Sequence, residues 1–252
     1  MQFGRSVIPD PYNEPLRDYP PGSEDAKKLK EACEKLKAEC PDIPCIIGGK
    51  EVRTGDIKKQ VMPSNHKHVL CTFHQANEQV LKEAIKVAMD VKPKWEAMSW
   101  ENRAAIFLKA ADLLATKYRY IVNAATMLGQ GKTVWQAEID SACETIDFFR
   151  FNVKFAEEIY STQPPKNSKA VWNRSEYRPL EGYVVAISPF NFTAIGANLP
   201  SSPALMGNVV LWKPASTSIL SNYYIFKVLQ EAGLPDGVIN FVPGSGAVIG
   251  NI

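Results

Sequence analysis

The length, composition and charge exclude several classes of protein. The chain has 252 residues, of which 45% are hydrophobic and 22% are charged, and this is typical of a soluble globular protein with a large core. A net charge of +2 gives no electrostatic reason to expect nucleic acid or an anionic membrane as a partner. The longest apolar runs, such as residues 184–187, are far shorter than the roughly 20 residues that span a bilayer.

The five cysteines are an odd number and show no paired spacing, which favours reduced thiols in an intracellular compartment. His66, His68 and His74 lie near Cys71 and form the one cluster in which a metal could be considered. The run is typical of a loop that enters a strand, and it lacks the ligand spacing of a zinc site. We therefore predict no metal.

The first 12 residues contain a single Arg and no apolar segment, so they do not form a secretory signal. They also lack the Arg-rich and Ser-rich composition of a mitochondrial presequence. We expect either that the protein has no such peptide or that the sequence starts after its removal.

The N-terminal region is predicted to be an arm followed by helices. Residues 1–22 are rich in proline and should be extended, and Ser23 should cap a helix that ends near Cys40, so that residues 1–45 form an arm and a helix. We expect residues 46–50 to form a strand that enters a tight turn, followed by a short strand at about residues 68–73 and three helical stretches. The third, about Val134 to Ile159, should bury one apolar side. That side consists of Ile139, Cys143, Ile146, Phe149 and Val153.

The pattern changes after residue 160. Residues 161–181 lack helical periodicity and contain Pro164 and Pro165, which predicts a protruding hairpin over residues 165–180. Three buried strands then alternate with two helices, a βαβαβ order typical of the nucleotide-binding half of a doubly wound fold. The predicted strands are residues 182–188, 208–213 and 238–242, and the helices are residues 193–207 and 218–232. The chain ends inside the next expected helix, so we expect an incomplete sheet.

Two glycine-rich segments differ in what they predict. Residues 129–133, Gly-Gln-Gly-Lys-Thr, have Thr126 where a P-loop needs glycine and follow a helix, so we reject ATP binding and predict a glycine-capped loop between helices. Gly244-Ser245-Gly246 follows the third predicted strand and is one residue too long for a dinucleotide fingerprint. At the carboxyl end of a parallel strand, however, its backbone could approach a nucleotide closely.

Two polar turns close the first two strands of the predicted sheet. Ser-Pro-Phe-Asn-Phe at 188–192 places Asn191 at the carboxyl edge, either as an ordinary turn residue or as an amide donor to an oxyanion. Trp-Lys-Pro-Ala-Ser at 212–216 places Lys213 at the same edge, either solvated or donating to ribose hydroxyls.

These turns carry a family resemblance. Asn191 precedes Lys213 by 22 residues, and this combination of motif and spacing resembles the aldehyde dehydrogenase superfamily. Residues 129–133, 137–140 and 146–152 are similar to its glutamate-semialdehyde (pyrroline-carboxylate) branch, and the similarity runs from about Asn13 onward. It implies an α/β fold with an N-terminal helical region and an incomplete doubly wound, Rossmann-like NAD-binding sheet over 46–164 and 181–252. The resemblance further implies that the family's catalytic domain is not among these residues.

The resemblance also implies a reaction and a set of site residues. In the family a cysteine thiolate attacks an aldehyde, NAD takes the hydride and water hydrolyses the thioester; this branch oxidises glutamate semialdehyde to glutamate in proline breakdown. Ser216 stands where many NAD-specific members carry a Glu, which leaves NADP tolerance open. The roles implied are oxyanion stabilisation for Asn191, cofactor binding for Ser188, Pro189, Phe190, Lys213, Ser216 and Gly246, and substrate binding for Glu144 and Phe192. For Glu144 an exposed helix acid is an equal alternative.

The family's nucleophile and general base lie beyond the residues present here, and none of the five cysteines has the right context. We therefore expect the chain alone to be inactive. The resemblance implies a homo-oligomer joined through the 165–180 hairpin, and a mitochondrial matrix location if the source is eukaryotic or a cytoplasmic one otherwise. The alternative is a truncated, non-catalytic product that docks onto full-length subunits. An acyl-phosphate reductase is less favoured, because those relatives lack this pair of turns.

Overall fold

The computed structural model of the protein describes residues 7–252. The predictions for the N-terminal arm and for a signal peptide or presequence both include residues 1–6. These six residues lie outside the described residues. The helices are α1 (Glu24–Glu39), α2 (Glu78–Glu96), α3 (Trp100–Leu113), α4 (Arg119–Gln130), α5 (Val134–Ala137), α6 (Thr145–Ser161), α7 (Thr193–Leu205), α8 (Ile219–Ala232) and α9 (Gly246–Gly250). The strands are β1 (Asp42–Ile43), β2 (Cys45–Ile47), β3 (Lys50–Val52), β4 (Ile57–Met62), β5 (Asn65–His74), β6 (Val184–Ile187), β7 (Val210–Lys213) and β8 (Ile239–Phe241).

The larger sheet has the order β3-β2-β8-β7-β6. Strands β6, β7 and β8 are parallel, with Val184 opposite Val210 and Val210 opposite Ile239. Helices α7 and α8 connect them, so the βαβαβ prediction is confirmed. Because the three strands are parallel, their carboxyl ends lie at one edge of the sheet, the edge at which folds of this kind bind ligands.

The prediction of a fully buried first strand is wrong for one face of β6. Ala186 is buried, whereas Val185 and Ile187 are 42% and 55% exposed. β6 is the last strand of its sheet, and α7 packs against it. An apolar run therefore does not reveal whether both faces of a strand are covered.

A hairpin extends the sheet on its other side. β2 pairs antiparallel with β3 and, through Ile46 opposite Phe241, with β8. The turn uses Gly48 and Gly49 at φ +55° and +76°, and two successive positive φ values are what a type I′ hairpin turn requires. The sequence predicts the strand and the tight turn here but not their place beside β8.

The smaller sheet, of order β1-β5-β4, was predicted only in part. The expected strand at 68–73 is the second half of β5, and β4 was missed. β4 begins Ile-Lys-Lys, and its first three residues are exposed, so it lacks the apolar alternation that signals a strand. Its pairing with β5 is long-range information that local sequence does not contain.

Helix α1 begins and ends as predicted. The Ser23 side chain accepts a hydrogen bond from the backbone N–H of Ala26, and Cys40 follows the helix in the left-handed conformation. The predicted third stretch is not one regular helix, because a π-helical turn over Glu138–Glu144 separates α5 from α6. This turn changes the helical phase and leaves Ile139 41% exposed, so its predicted burial is wrong.

Residues 165–180 lie in an exposed segment that doubles back without forming a strand ladder. Its two limbs are joined by Gln163, which accepts a hydrogen bond from the backbone N–H of Ser175 (2.9 Å) and donates to its carbonyl (3.1 Å). An isolated two-stranded hairpin is marginal in water, which explains why doubling back does not produce paired strands. The role of this segment in oligomerisation stays a prediction.

A buried charge network fastens the extended arm to the helices. Arg119 is fully buried and pairs with Glu138 and with Glu14 (2.5 Å to Oε1), and it donates to the carbonyl of Pro15 (2.8 Å). The Tyr19 hydroxyl donates to Glu138 Oε2 at 2.6 Å. Burial opposes ionisation of Glu138, but the hydrogen bonds from Arg119 and Tyr19 leave its pKa below the usual value.

In the described part of the chain, no helix is both long enough and apolar enough to cross a bilayer.

We expect Arg119→Met to lower the free energy of unfolding by about 3–5 kcal/mol, because it leaves the buried Glu138 carboxylate without its cationic partner. Urea denaturation followed by circular dichroism measures the change. Lys117→Met is the matched control, since Lys117 pairs with Glu231 at the surface and solvent screens that pair. Equal losses in the two variants would contradict a special role for the buried network.

Candidate functional site

The predicted cofactor turns meet at the carboxyl edge of the parallel strands. Residues 188–192 follow β6, residues 214–218 follow β7, and residues 242–246 follow β8. The parallel register places the ends of β6 and β7 side by side, with Ile187 opposite Lys213. The sequence therefore identified the correct edge. The structure also shows which of these side chains are free to meet a ligand.

Ser188 points into the protein and is 5% exposed. Its Oγ accepts a hydrogen bond from Trp212 Nε1 at 2.5 Å and lies 3.4 Å from the carbonyl of Gly196, to which it donates. Its backbone N–H donates to the carbonyl of Lys213. The Ser188 side chain thus locks the first turn to β7, and only its backbone remains for a ligand to contact.

The next residues of this turn face outward. Pro189 is half-buried, Phe190 is 65% exposed, and Asn191 is exposed. The carboxamide of Asn191 carries two N–H donors, and at this position it is open to solvent at the ligand-binding edge. The geometry suits donation to an oxygen that approaches from above the sheet.

Lys213 is 8% exposed at the end of β7. Its Nζ donates to the carbonyl of Pro214 at 3.1 Å, and burial lowers its pKa. An ammonium has three donors, so donor capacity remains for another acceptor. Ser216 is exposed in the short 3₁₀ turn that follows, Ser216–Ser218.

Gly246 opens α9 and is exposed. A Cβ built on it would meet no atom within 4 Å, so its surroundings do not require glycine. At Gly244 the added atom would lie 3.3 Å from the carbonyl oxygen of Ala76. At Gly244 the backbone therefore lies close to the chain that leaves β5. At Gly246 there is space for a ligand.

The two predicted substrate residues lie around Lys132. Glu144 is half-buried in the π-helical turn. Burial is the largest cause that raises its pKa, the nearby Asp140 carboxylate adds to the rise, and Lys132 opposes it. The Lys132 ammonium lies 4.0 Å from the centroid of the Phe192 ring, a cation–π contact. Glu144 also lines an apolar groove of about 730 Å³ with Cys143, Phe148 and other residues of α6 and the arm. A larger depression of about 960 Å³, beside the start of α2, contains none of the predicted residues.

The residues that support the two turns were not predicted. Asp140 accepts hydrogen bonds from the backbone N–H groups of Thr193 (3.1 Å) and Ala194 (2.9 Å), the first residues of α7. Gln60 of β4 accepts from the N–H of Leu220 in α8 and donates to the carbonyl of Thr217. Both contacts join residues more than 50 positions apart, so no local pattern could have revealed them.

Two members of the histidine and cysteine cluster, His74 and Cys71, have other bonding partners. His74 Nδ1 accepts from the N–H of Gly55, so its Nε2 donates to Asp42 at 3.1 Å. The Cys71 thiol lies 3.6 Å from Gln60 Oε1. Within residues 7–252, no three His, Cys, Asp or Glu side chains gather in a way that could hold a metal ion.

Comparison with known proteins agrees with the geometry of the two turns. The sequence profile described as "Aldehyde dehydrogenase family" matches residues 52–252, which is more than half of the chain. The chain belongs to the aldehyde dehydrogenase family.

Two relatives of high similarity share one name. The chain is 64% identical over 248 residues to a mitochondrial delta-1-pyrroline-5-carboxylate dehydrogenase of Dictyostelium discoideum. The match covers 98% of this chain and 44% of that relative. It is 48% identical to the human mitochondrial protein of the same name, over 95% of this chain and 42% of that protein. The chain thus spans about half the length of the curated relatives it matches.

A solved aldehyde dehydrogenase structure has the same fold. The crystal structure of delta-pyrroline-5-carboxylate dehydrogenase from Mycobacterium tuberculosis bound with NAD superimposes with a TM-score of 0.97 at 45% identity. The match covers 100% of this chain and 47% of that one. The fold predicted from the resemblance is therefore confirmed.

We expect Ser188→Ala to lower the stability of this aldehyde dehydrogenase chain by about 1–3 kcal/mol, because the buried Trp212 N–H loses its acceptor. Urea denaturation followed by tryptophan fluorescence measures the loss. Ser216→Ala is the control and should be neutral, because Ser216 is exposed. A stable Ser188→Ala variant would instead favour a ligand-contacting role for the hydroxyl.

Proposed function

We propose that this chain supplies the oxyanion-stabilising and cofactor-binding part of an NAD-dependent aldehyde dehydrogenase that oxidises glutamate semialdehyde to glutamate. The observation that carries the proposal is the exposed Asn191 amide beside the buried, under-coordinated Lys213 at one sheet edge. Similarity over 98% of the chain to a protein named for this reaction supports it.

In the proposed reaction Asn191 donates to the oxygen of the aldehyde. When a nucleophile attacks the carbonyl carbon, that oxygen gains negative charge, and a donor already aimed at it stabilises the charge without reorganisation. The turn is fixed at both ends, by the bond of Ser188 to Trp212 of β7 and by the start of α7, so the backbone that carries the amide is held before the substrate arrives.

The cofactor fits the donors at the edge. Lys213 retains donors for ribose hydroxyls, Ser216 is exposed beside it, and Gly246 leaves space above the end of β8. When bound, NAD supplies the acceptor for the hydride that leaves the aldehyde carbon. The neutral Ser216 would not repel a 2′-phosphate, so NADP is a permitted second cofactor in this proposal.

Glu144 and Phe192 are proposed to contact the substrate. A glutamate semialdehyde carries an ammonium group, and a half-buried carboxylate is a suitable partner for it. The Phe192 ring lies directly after Asn191, where it can limit the position of the aldehyde chain. Because the pKa of Glu144 is raised, its carboxylate takes up a proton at a higher pH than an ordinary glutamate does. Substrate affinity should therefore weaken as the pH falls through the pKa of Glu144.

The nucleophile in this proposal is a cysteine outside these 252 residues. Burial raises the pKa of Cys45 and of Cys143 to about 12 and also raises that of Cys33 and Cys71, so these four thiols stay protonated at neutral pH. Cys40 lies at the end of α1, before both sheets. A protonated thiol is a weak nucleophile, which argues against moving the role onto a cysteine of this chain.

The proposal extends to the compartment and the assembly. Relatives named as mitochondrial support a mitochondrial matrix location. Trp172 and Val171 are 82% and 52% exposed at the outer end of the 165–180 segment, and they suit burial against another subunit in a homo-oligomer. The same apolar tip would also serve the alternative function, in which a truncated product docks onto full-length subunits.

We expect purified 252-residue chain to produce no NADH from glutamate semialdehyde, and the full-length polypeptide that contains these residues to produce it. Absorbance at the NADH band measures the rate. Cysteine-dependent turnover by the 252-residue chain alone would overturn the assignment of the nucleophile.

In the full-length polypeptide we expect Asn191→Ala to lower kcat by about 10²–10³, because one oxyanion donor is lost. Steady-state kinetics with glutamate semialdehyde measures the change. The control is Asn102→Ala, the same substitution at an exposed residue of α3. An Asn191→Ala enzyme with unchanged kcat would sink the proposed role of this amide.

A further inference from the structure

We infer that Asp140 and Lys132, which lie outside the nucleotide-binding sheet, are positioning residues for the Asn191 amide. The inference rests on the proposed function of Asn191 and identifies what holds that residue in place. It also gives a role to the Gly-Gln-Gly-Lys-Thr segment at 129–133, which is not a P-loop.

The start of α7 has no cap of its own. The residue before the helix is Phe192, whose side chain cannot accept a hydrogen bond, and no side-chain cap is formed there. The first N–H groups of a helix need acceptors when they are buried, and Thr193 and Ala194 are fully buried. The Asp140 carboxylate supplies both, one oxygen to each N–H.

Asp140 is itself paired with a partly buried charge, the ammonium of Lys132. Its side chain is 2% exposed, and its Oδ2 lies 2.5 Å from Lys132 Nζ. The same ammonium lies over the ring of Phe192. Lys132 therefore contacts both the carboxylate that caps α7 and the residue that directly follows Asn191.

The contacts of Asp140 and Lys132 lie on the C-terminal side of Asn191. The peptide that joins Asn191 to Phe192 lies between the exposed amide and the two capped N–H groups, so loss of the cap loosens the turn on that side. The Thr193 hydroxyl meanwhile keeps its contacts with Thr126, Gln130 and Ser221. Ser188 fixes the N-terminal side independently through Trp212. A donor that must meet a developing oxyanion tolerates little displacement, and a shift of about 1 Å can cost about 10²-fold in rate.

Gln60 provides an internal contrast. It caps α8 through Leu220 and holds the carbonyl of Thr217, so it supports the second turn, which carries Lys213 and Ser216. If both supports act locally, the two substitutions should have different kinetic effects. Loss of Gln60 should affect cofactor affinity, and loss of Asp140 should affect turnover.

The test uses the full-length polypeptide with Asp140→Asn, Asn191→Ala and the double variant. Asparagine keeps one acceptor oxygen and removes the charge. We expect Asp140→Asn to lower kcat by about 10–100-fold with KM for NAD changed less than about twofold, and to have almost no further effect in the Asn191→Ala background. Asp90→Asn, the same change on the exposed face of α2, is the control.

Multiplicative effects of Asp140→Asn and Asn191→Ala would overturn the inference, because they would show that Asp140 does not act through Asn191. Gln60→Leu should raise KM for NAD more than it lowers kcat. The same kinetic change in Gln60→Leu and Asp140→Asn would indicate general loosening and would also overturn the inference.

If Asp140→Asn does not fold, Lys132→Met replaces it in the cycle. This variant keeps both N–H bonds and loses the charge partner of Asp140, the ring contact with Phe192 and the cation that opposes the raised pKa of Glu144. We expect a smaller fall in kcat, of about 3–10-fold, that again disappears in the Asn191→Ala background. Failure of the proposed function gives a different result: Asn191→Ala would then retain its full rate, whatever Asp140→Asn does.

Discussion

Two helices of the nucleotide-binding unit start without caps of their own, and this constraint joins the two halves of the chain. The residues before α7 and α8, Phe192 and Ser218, form no side-chain cap. A buried helix start cannot leave its N–H groups unpaired, because each would cost about 1–3 kcal/mol in desolvation. The acceptors come from Asp140 and Gln60, which belong to the helical layer and to the smaller sheet. The turns at the ligand-binding edge are therefore shaped by residues that are distant in sequence.

The need to pair buried polar groups also explains the buried charges of the arm. Arg119 and Glu138 are both fully buried, and such a pair is tolerated only because further donors and acceptors complete their hydrogen bonds. Glu14 and the carbonyl of Pro15 complete those of Arg119. The arm has little secondary structure, and this network fastens it together with the buried side chains of Ile8 and Tyr19. Glu138 and Asp140 lie two residues apart in one π-helical turn, so a single irregular turn fastens both the arm and α7.

Local sequence was sufficient for the parallel unit and insufficient for what surrounds it. Apolar runs of four residues between helical stretches predict β6, β7 and β8, and the parallel order follows from the connections. β4 escaped prediction because its first half is Lys-rich and exposed. The exposed face of β6 escaped it because burial depends on which element lies opposite.

The candidate site follows the same division. Asn191 and Lys213 were found because each directly follows a predicted strand and because their spacing resembles that of a family. Ser188 was assigned to the cofactor from the same motif, although its side chain faces Trp212, since a motif does not state which way a side chain points. In the sequence, Asp140 stands out only as part of residues 137–140, which resemble one branch of the family. Its role depends on two hydrogen bonds that span more than 50 residues.

The cap on α7 has a consequence for how the site responds to its ionic surroundings. The N-terminus of a helix carries a partial positive charge that can attract phosphate. Here the chain's own carboxylate already occupies that position and is in turn neutralised by Lys132. Little long-range field then reaches the turn from α7, and the dipole of the Asn191 amide acts over a single hydrogen bond. Dissolved salt screens distant exposed charges far more than such a contact. The chemistry at this turn should thus be nearly indifferent to ionic strength.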